Sequence, residues 1–426
     1  MWGRILGPVL SLCLTTALLI GVVPGVTPPA AKAVDTSWVV PAGASFNIPR
    51  STTKAMFRTE KRIVDAINHT RPRSVIRIAV YSLDRLPVVE ALLAAKRRGA
   101  HVQVLVNDHQ WNRAMKRLQS GLGGDRWKSS FMYRCTSGCR TNFENLHSKY
   151  FLFKHTGASR WVTMTGSYNL TGNAARNQWN DLFTIRGNEA LYRKMSGLFA
   201  EMRRDRPLDN PYRVDRVGSK YLWHIFPFRN FSATNDPVKN ALDRVRCSGS
   251  RINRGRTIVW LNMAVIDDYR GDYLARKVRR LKAYGCDVRV LYGVATRRIR
   301  DVFATKTRRG YVPVHVSGYD TDYDGDMDLY GHEKTFFVSG NFSGHRAFNG
   351  VFTSSGNWST SGILGDELFF RIRGRGAMRA YKNHFLYQWR NGSHLAAYIP
   401  YGNGRAAYTP AEAPQPALRG PAWEND

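Results

Sequence analysis

The pattern of hydrophobic positions near the start of the chain predicts a strand, a helix and a second strand in close succession. A run rich in β-branched residues at 75–81 is typical of a buried strand. The stretch 87–98 spaces its apolar residues for one face of a helix, and Gly99 follows as a helix-ending glycine. Another apolar run at 102–106 predicts the next strand, which completes a βαβ unit.

The same pattern returns far downstream. Strands are predicted at 257–261 and 288–292, with a helix between them at about 272–283 that is followed by Gly285. Gly285 lies 186 positions after Gly99. A repeat at a fixed offset indicates an internal duplication, and we expect an α/β fold of two tandem lobes, each a mixed sheet flanked by helices.

The first 33 residues have the composition of an export signal. Arg4 precedes an almost wholly apolar run at 5–23, Pro24 interrupts it, and an A-x-A sequence stands at 31–33. The alternative is an uncleaved membrane anchor. The proline and the small residues after the apolar run favour a cleaved signal peptide and a secreted, extracellular protein.

The remaining sequence divides into three predicted parts. We expect the first lobe at 34–215, the second at 216–400, and a flexible C-terminal tail at 401–426, where prolines and alanines accumulate. No obligate protein partner is expected, and the protein is expected to be a monomer.

Five cysteines occur, and Cys13 belongs to the signal segment. The other four, in an exported chain, predict two disulfides with three possible pairings. Local pairing, Cys135 with Cys139 and Cys247 with Cys286, is the favoured arrangement. A zinc site that starts at Cys135 is the alternative, but the second pair lacks the spacing of metal ligands.

The charge balance is strongly basic, with a formal net charge of +32. Such a charge predicts polyanionic partners: a phospholipid or membrane surface, or nucleic acid. The alternative is a charge that only keeps the protein soluble. Charge alone does not choose among these.

Each predicted lobe carries a His-x-Lys, a later Ser-x-Asn and then an acidic strand. The two histidines are 185 positions apart, close to the offset of the glycines. A lone His-x-Lys is usually part of a surface strand, but two matched copies indicate a functional site. The candidates are His147, Lys149, Ser167, Asn169 and Asp181 in the first copy, and His332, Lys334, Ser355, Asn357 and either Asp366 or Glu367 in the second.

These residue types suit a phosphate group. Histidine and lysine two apart on a strand point to the same face. The lysine supplies a positive charge and the asparagine a hydrogen-bond donor for phosphoryl oxygens. An imidazole can attack phosphorus or transfer a proton at neutral pH, and a carboxylate behind the ring would fix its tautomer. Ser167 and Ser355 are then predicted to bind substrate.

These paired motifs resemble those of the phospholipase D superfamily, HxKxxxxD followed by GSxN, over nearly all of the chain after the signal. The resemblance implies one composite active site at the interface of the lobes, with no metal required for catalysis. It also implies that one histidine forms a phosphohistidine while the other protonates the leaving alcohol and then activates water. By this analogy His147 is the nucleophile and His332 the acid and base.

The sequence departs from the family pattern at several positions. The aspartate of HxKxxxxD is Lys154 in the first copy and Ser339 in the second, and the glycine of GSxN is Ser354 in the second. The histidine-orienting group of the first copy is expected to be Asp181, with Asn180 as a competitor for that register. In the second copy Asp366 and Glu367 compete, and Glu367 is preferred.

An acidic stretch precedes the second His-x-Lys. Asp320, Asp322, Asp324 and Asp328, with Gly325, match the first part of an EF-hand calcium loop. The closing acid is missing, because Gly331 stands at position 12. The loop is therefore expected either to hold a structural calcium ion or to be a solvated acidic loop that faces the basic surface.

The substrate class is left between three hypotheses. The first is a secreted phospholipase D-type hydrolase that cleaves phospholipid headgroups. The second is a secreted nonspecific endonuclease, which basic runs such as 276–280 and 305–309 favour. The third is a non-catalytic module that binds anionic surfaces, which the intact residues of both motifs argue against. We favour the phospholipase hypothesis.

Overall fold

The computed structural model describes residues 34–319, 327–396, 398–400 and 406–408. The predicted signal peptide at 1–33 and most of the predicted tail at 401–426 lie outside these residues. So do Asp320, Asp322 and Asp324 of the acidic stretch. Asp328 is described, and its backbone N–H donates to the carbonyl of Tyr319 at 3.0 Å.

The first half of the chain forms a mixed seven-stranded sheet within the described residues. Its central strands pair in parallel where a helix connects them and antiparallel where a hairpin does. In spatial order the strands are Gly43–Phe46, Asp181–Ile185, Ser159–Gly166, Tyr150–Thr156, Val75–Val80, His101–Asn107 and Phe131–Cys135.

Helices cover this sheet. The longer ones carry buried apolar residues on one side, as their sequence spacing predicts. Asn112 and Asn188 cap two of them by accepting a hydrogen bond from the first turn. The helices are Thr53–Met56, Arg58–Asn68, Leu86–Arg97, Arg113–Leu122, Gly172–Arg176 and Glu189–Met202.

The second half repeats the plan in a larger sheet. Ten of its described strands belong to this sheet, and one of them, Val245–Arg246, pairs with Lys334–Phe342 off the main path. Along the main path the strands are His394–Leu395, Val314–Val316, Asp287–Ala295, Ile258–Ile266, Lys334–Phe342, His345–Ser354, Leu368–Arg373, Tyr221–Ile225 and Arg213–Val217.

The helices of the second half take the corresponding places. They are Pro237–Asp243, Asp268–Ala283, Arg297–Ala304, Ser361–Leu364 and Arg375–Asn391, with a 3-10 turn at Asn253–Gly255. Two small ladders complete the described structure, Gln178–Trp179 with Tyr330–Gly331 and Tyr398–Pro400 with Ala406–Tyr408. The α/β fold class and its two-lobed arrangement are thus confirmed.

Three large apolar clusters fill the structure. One lies in the first half, and a second lies in the second half. The third cluster contains residues of both sheets, such as Leu152 and Phe337, together with residues of the helices Glu189–Met202 and Arg375–Asn391. The described residues, which start at Val34, form one compact unit. The lobes are therefore joined by a shared core, and the boundary at 215/216 stays a prediction.

Both predicted disulfides are present. Cys135 is bonded to Cys139 and Cys247 to Cys286, with sequence separations of 4 and 39. The first closes the loop after the strand Phe131–Cys135, and the second ties the segment after Val245–Arg246 to the end of the helix Asp268–Ala283. Among the residues that the structure describes, no helix has the length and apolar content of a membrane span.

Candidate active site

The first His-x-Lys segment rests on the other half of the molecule. The backbone N–H groups of His147 and Ser148 both donate to the carbonyl of Asp366, at 3.2 and 2.7 Å. Leu146 forms an isolated parallel bridge to the same residue. Backbone hydrogen bonds therefore place His147 against the strand end that carries Glu367.

The second His-x-Lys segment makes the reciprocal contact. Tyr330–Gly331 pairs in parallel with Gln178–Trp179, and the N–H of His332 donates to the carbonyl of Trp179 at 2.9 Å. Each histidine is thus docked on the lobe to which it does not belong. The predicted position of the site between the lobes agrees with this arrangement.

Both lysines are held in the same way. The Nζ of Lys149 donates to the carbonyl of His147 at 2.6 Å, and the Nζ of Lys334 donates to the carbonyl of His332 at 3.0 Å. Each of these four residues is at most 5% exposed. The ammonium groups are therefore fixed beside the histidines in a buried site.

A carboxylate lies behind the ring of His147. Its Nδ1 is 2.6 Å from Oε1 of Glu367, and both residues are buried. The other oxygen of Glu367 accepts a short hydrogen bond from the hydroxyl of Ser355, which itself accepts from the N–H of Leu368 at 2.9 Å. The preference for Glu367 over Asp366 agrees with this geometry.

An amide lies behind the ring of His332. Its Nδ1 is 2.8 Å from Oδ1 of Asn180, and that oxygen also accepts from the hydroxyl of Ser167 at 2.9 Å. The Nδ2 of Asn180 donates to the carbonyls of Ala174 and Gln178, at 3.1 and 3.4 Å. These contacts fix which end of the amide faces the histidine.

One expectation requires correction. The place predicted for the carboxylate of Asp181 is taken by Asn180, because Asp181 directs its carboxylate to the hydroxyls of Thr353 and Tyr381, at 2.7 and 2.6 Å. The hydroxyls of Ser167 and Ser355 donate to the groups that orient the histidines, and the binding of substrate by these two serines stays a prediction.

The two asparagines of the motifs are buried. One is held by its side chain and the other by its backbone carbonyl. The Oδ1 of Asn169 accepts from the N–H of Ser82 at 3.4 Å. The carbonyl of Asn357 accepts from Nη1 of Arg270 at 2.7 Å. Arg270 is itself anchored on Asp236 at 2.8 Å. A narrow cleft beside His147 is lined by residues of both lobes, including Asn357 and Glu367.

Burial and nearby cations shape the protonation of the site. Burial raises the pKa of Glu367 to about 7, while the nearby Lys149 and Lys334 oppose the rise. The pKa of His332 is well below its usual value, first because of burial and then because of Lys334, Lys149 and His147. Lys149 and His147 of the first lobe therefore act on the buried titratable groups of the second lobe, which indicates that the two half-sites lie close together.

Sequence reasoning missed a polar group beside the first motif. His109 stacks on Tyr81 at 3.9 Å, and its Nε2 is 3.1 Å from the hydroxyl of Ser82. Its Nδ1 is 2.8 Å from Oδ1 of Asn107. Burial and Lys149 lower the pKa of His109 to about 4. Its place just after the strand His101–Asn107 was the available signal, since carboxyl ends of parallel strands gather at one edge.

Arg140 was also missed, because no local pattern marks it. Its Nε and backbone N–H donate to the two oxygens of Asp366, both at 2.9 Å, and its guanidinium reaches the carbonyl of Phe226. Arg140 and Asp366 are 1% and 2% exposed. The pair fixes the residue next to Glu367 and joins the two lobes by a buried ion pair.

The described residues contain no cluster of side chains suited to a metal ion. Within residues 34–319 and 327–396, no three histidine, cysteine or acidic side chains are grouped to hold a metal ion. The calcium expectation for Asp320, Asp322 and Asp324 falls on residues outside that range, so it stays a prediction.

Comparison with known proteins places the fold. Residues 63–203 match the family model described as cardiolipin synthase, PLD-like domain. The phosphatidylserine synthase of Haemophilus influenzae has a TM-score of 0.54 at 11% identity, over 83% of this chain and 87% of that one. The polyphosphate kinase of Porphyromonas gingivalis has a TM-score of 0.52 at 14% identity, over 86% of this chain.

This chain spans 53% of the length of that polyphosphate kinase. Identities this low establish the fold alone. No curated protein sequence gives a match. The family model covers the first His-x-Lys and Ser-x-Asn, and the second lobe repeats both on an equivalent sheet. The part of the chain at 63–203 is therefore similar to the PLD-like domain of that family model.

Proposed function

We propose that the protein is a secreted phosphodiesterase that hydrolyses the headgroup phosphodiester of phospholipids through a phosphohistidine. One observation carries the proposal: both His-x-Lys pairs are buried at the lobe interface, and each histidine is oriented by a residue of the opposite lobe. Two imidazoles and two ammonium groups together provide a nucleophile, a proton donor and a clamp for phosphoryl oxygens.

Lipid is favoured as the substrate class by exposed aromatic residues that pair with arginine. Phe143 is 62% exposed, and the guanidinium of Arg229 lies 4.7 Å from its ring centre. Trp111 is 38% exposed, with Arg134 at 4.4 Å. Phe143 directly precedes Glu144, which lines the cleft beside His147. Aromatic and basic groups together suit an anionic lipid interface. The matched family model and the Haemophilus protein are both named for phospholipid synthases.

A second candidate is a nonspecific nuclease, and one surface favours it. A groove between the helices Asp268–Ala283 and Arg297–Ala304 is lined by four arginines. Arg276 and Arg298 each pair with Asp272, while Arg279 donates to the carbonyl of Thr305. A row of guanidinium groups is suited to a phosphate backbone.

The deciding experiment compares the two substrates side by side. Purified protein is given vesicles of phosphatidylcholine with phosphatidylglycerol, and separately plasmid DNA, and headgroup release and strand breaks are measured. We expect headgroup release that is lost in His332→Ala and kept in His345→Ala, an exposed histidine on the strand His345–Ser354. Cleavage of DNA without headgroup release would replace the proposal with the nuclease.

We further propose that catalysis needs no metal, since the nucleophile is an imidazole. EDTA should leave most of the activity. If the acidic stretch holds calcium, EDTA should lower the melting temperature, because an ion that binds only the folded state stabilises it. Complete loss of activity that zinc restores and calcium does not would contradict this part of the proposal.

A further inference from the structure

The two histidines differ in the charge of the group behind the ring. Glu367 stands just before the strand Leu368–Arg373 and orients His147. Asn180 stands just before the strand Asp181–Ile185 and orients His332. The two strands hold equivalent places in their sheets, each beside the hairpin that follows the His-x-Lys. One duplicated position therefore carries a carboxylate in one lobe and a neutral amide in the other.

The amide fixes the tautomer of His332. The Nδ2 of Asn180 is used by the carbonyls of Ala174 and Gln178, so Oδ1 is the atom that faces the ring. An amide oxygen only accepts hydrogen bonds, so the proton of His332 is on Nδ1. A neutral ring in this tautomer has its lone pair on Nε2, which is the form that can attack phosphorus.

The charges around His332 also hold it neutral. After burial, the largest influences on its pKa are the charges of Lys334, Lys149 and His147, and each disfavours a further positive charge on the ring. Asn180 brings no compensating negative charge. His332 is only 2% exposed, so its burial adds a desolvation cost for the imidazolium.

His147 has the opposite setting. Glu367 can balance an imidazolium, and burial raises the pKa of Glu367 to about 7, so this pair takes up an extra proton near neutral pH. Because Nδ1 faces Oε1, the pair with that proton has an N–H at Nε2 of His147, whether the shared proton lies on the carboxyl group or on the ring. That N–H is positioned to donate its proton to a leaving group.

We propose that His332 is the nucleophile, that His147 is the general acid, and that Asn180 is the positioning residue that sets this division. The inference rests on the proposed function and reverses the roles that the family resemblance implies. Nε2 of His332 bonds to phosphorus while the bond from phosphorus to the leaving oxygen breaks, and that oxygen takes the proton from Nε2 of His147. His147 then takes a proton from water, whose oxygen bonds to phosphorus as the P–N bond breaks.

The first test locates the covalent phosphoryl group. Bis(4-nitrophenyl) phosphate is used, because 4-nitrophenolate leaves without being protonated. We expect His147→Asn to release a stoichiometric burst and to carry the aryl phosphoryl group on His332 after alkaline denaturation and peptide mass spectrometry. His332→Asn should show neither. Circular dichroism verifies the fold of both variants, and His345→Ala is the matched control that should behave like the wild type.

The outcomes separate the two levels of the proposal. A burst and a label on His147 in His332→Asn, with none in His147→Asn, would overturn the role assignment and leave the phosphohistidine mechanism standing. A wild type that turns over this diester without a label in any variant would overturn covalent catalysis. A wild type with no activity on any phosphodiester offered would overturn the proposed function, and the role assignment with it.

The second test uses the pH dependence of kcat/KM. Asn180→Asp places a carboxylate beside His332 and should raise its pKa by about one to three units. A nucleophile must be neutral, so the acidic limb should move to higher pH by that amount. Glu367→Gln should move the alkaline limb to lower pH, because His147 would lose its proton more easily. Movement of the alkaline limb in Asn180→Asp would overturn the assignment, and a merely structural role would lower the plateau without moving either limb.

Discussion

The two half-sites share a backbone plan and differ in single side chains. Each lysine donates to the carbonyl of the histidine two residues before it, at 2.6 and 3.0 Å. The backbone N–H of each histidine donates to a carbonyl of the opposite lobe. These features follow from strand direction and pairing. What differs is the group that controls protonation, Glu367 in one case and Asn180 in the other. A duplicated fold can thus repeat the geometry of a site and still place an acidic side chain in one half and an amide in the other.

The residues that lie beside the two His-x-Lys motifs differ as well. The pairing of strands shows which residues of the two lobes correspond. The residue after the motif lysine pairs with Ala79 in the first lobe and with Asn262 in the second, so Ala79 and Asn262 hold equivalent positions. Tyr81 and Ser82 of the first lobe then correspond to Ala264 and Val265 of the second. The first pair contacts His109, whereas the second belongs to a small apolar cluster with Val294.

The largest effect should come from removing either histidine. His147→Ala and His332→Ala should each lower turnover of a natural phosphodiester by at least about a thousandfold, and the double variant should lose little more, because residues of one mechanism are not additive. Steady-state assays on all three variants measure this. Near-normal activity in either single variant would show that one half-site suffices.

Next in size should be the loss of a buried ion pair. Arg140→Met leaves Asp366 without its guanidinium, and unfolding should become easier by about 3–5 kcal/mol. Arg270→Met should have a similar cost through Asp236, but within the second lobe alone. Urea denaturation measures both.

A matched control comes from an exposed pair. Arg193→Met breaks a contact between Arg193 and Glu189 on a helix surface and should change stability by less than about 1 kcal/mol. Arg140→Met should also lower activity, since Asp366 precedes Glu367 and binds the segment of His147. A stable, fully active Arg140→Met protein would show that the contact across the lobes is dispensable.

The contributions of the two disulfides to the free energy of unfolding should differ by a smaller amount. Closing a loop of 39 residues stabilises the folded state by about 4 kcal/mol in the chain-entropy model, and a loop of 4 by about 2. Replacing Cys247 and Cys286 by serine should therefore destabilise the protein more than replacing Cys135 and Cys139. Urea unfolding of the two double variants tests the order, and an equal loss would contradict the entropic explanation.

The smallest effect should come from His109, whose counterpart by ladder register is Ala295. Its pKa is about 4 in the folded state and 6.5 is the ordinary value, so the unfolded chain binds a proton first as pH falls. Stability should therefore decline from pH 6.5 toward 4, and the decline should be shallower in His109→Ala. His345→Ala, at an exposed site, should leave the slope unchanged, and an unchanged slope in His109→Ala would contradict the neutral buried state.

Local pattern was sufficient for much of the fold. The predicted strand at 75–81 is Val75–Val80, and the predicted helix at 87–98 is Leu86–Arg97. The helix predicted from about 272 begins earlier, at Asp268, because Asp267 caps it and the polar start hides its first turn. Periodicity identifies such elements because each one buries its own apolar face.

The partners of the histidines could not be predicted with the same success. Asn180 and His332 are 152 positions apart, and Glu367 and His147 are 220 apart. The choice between Asn180 and Asp181 depends on one residue of register, which sends neighbouring side chains to opposite faces. The contacts of Arg140 and His109 are likewise tertiary, and only the assembled lobes bring them together.

The crossed backbone contacts also fix when the site can form during folding. Pairing Tyr330–Gly331 with Gln178–Trp179 closes a long stretch of chain, and such closures follow local structure because their entropy cost comes before their gain. Each lobe can acquire its helices and hairpins earlier. After dilution from urea, activity should therefore recover later than the circular dichroism signal. The delay between the two signals would measure how long one lobe takes to dock on the other.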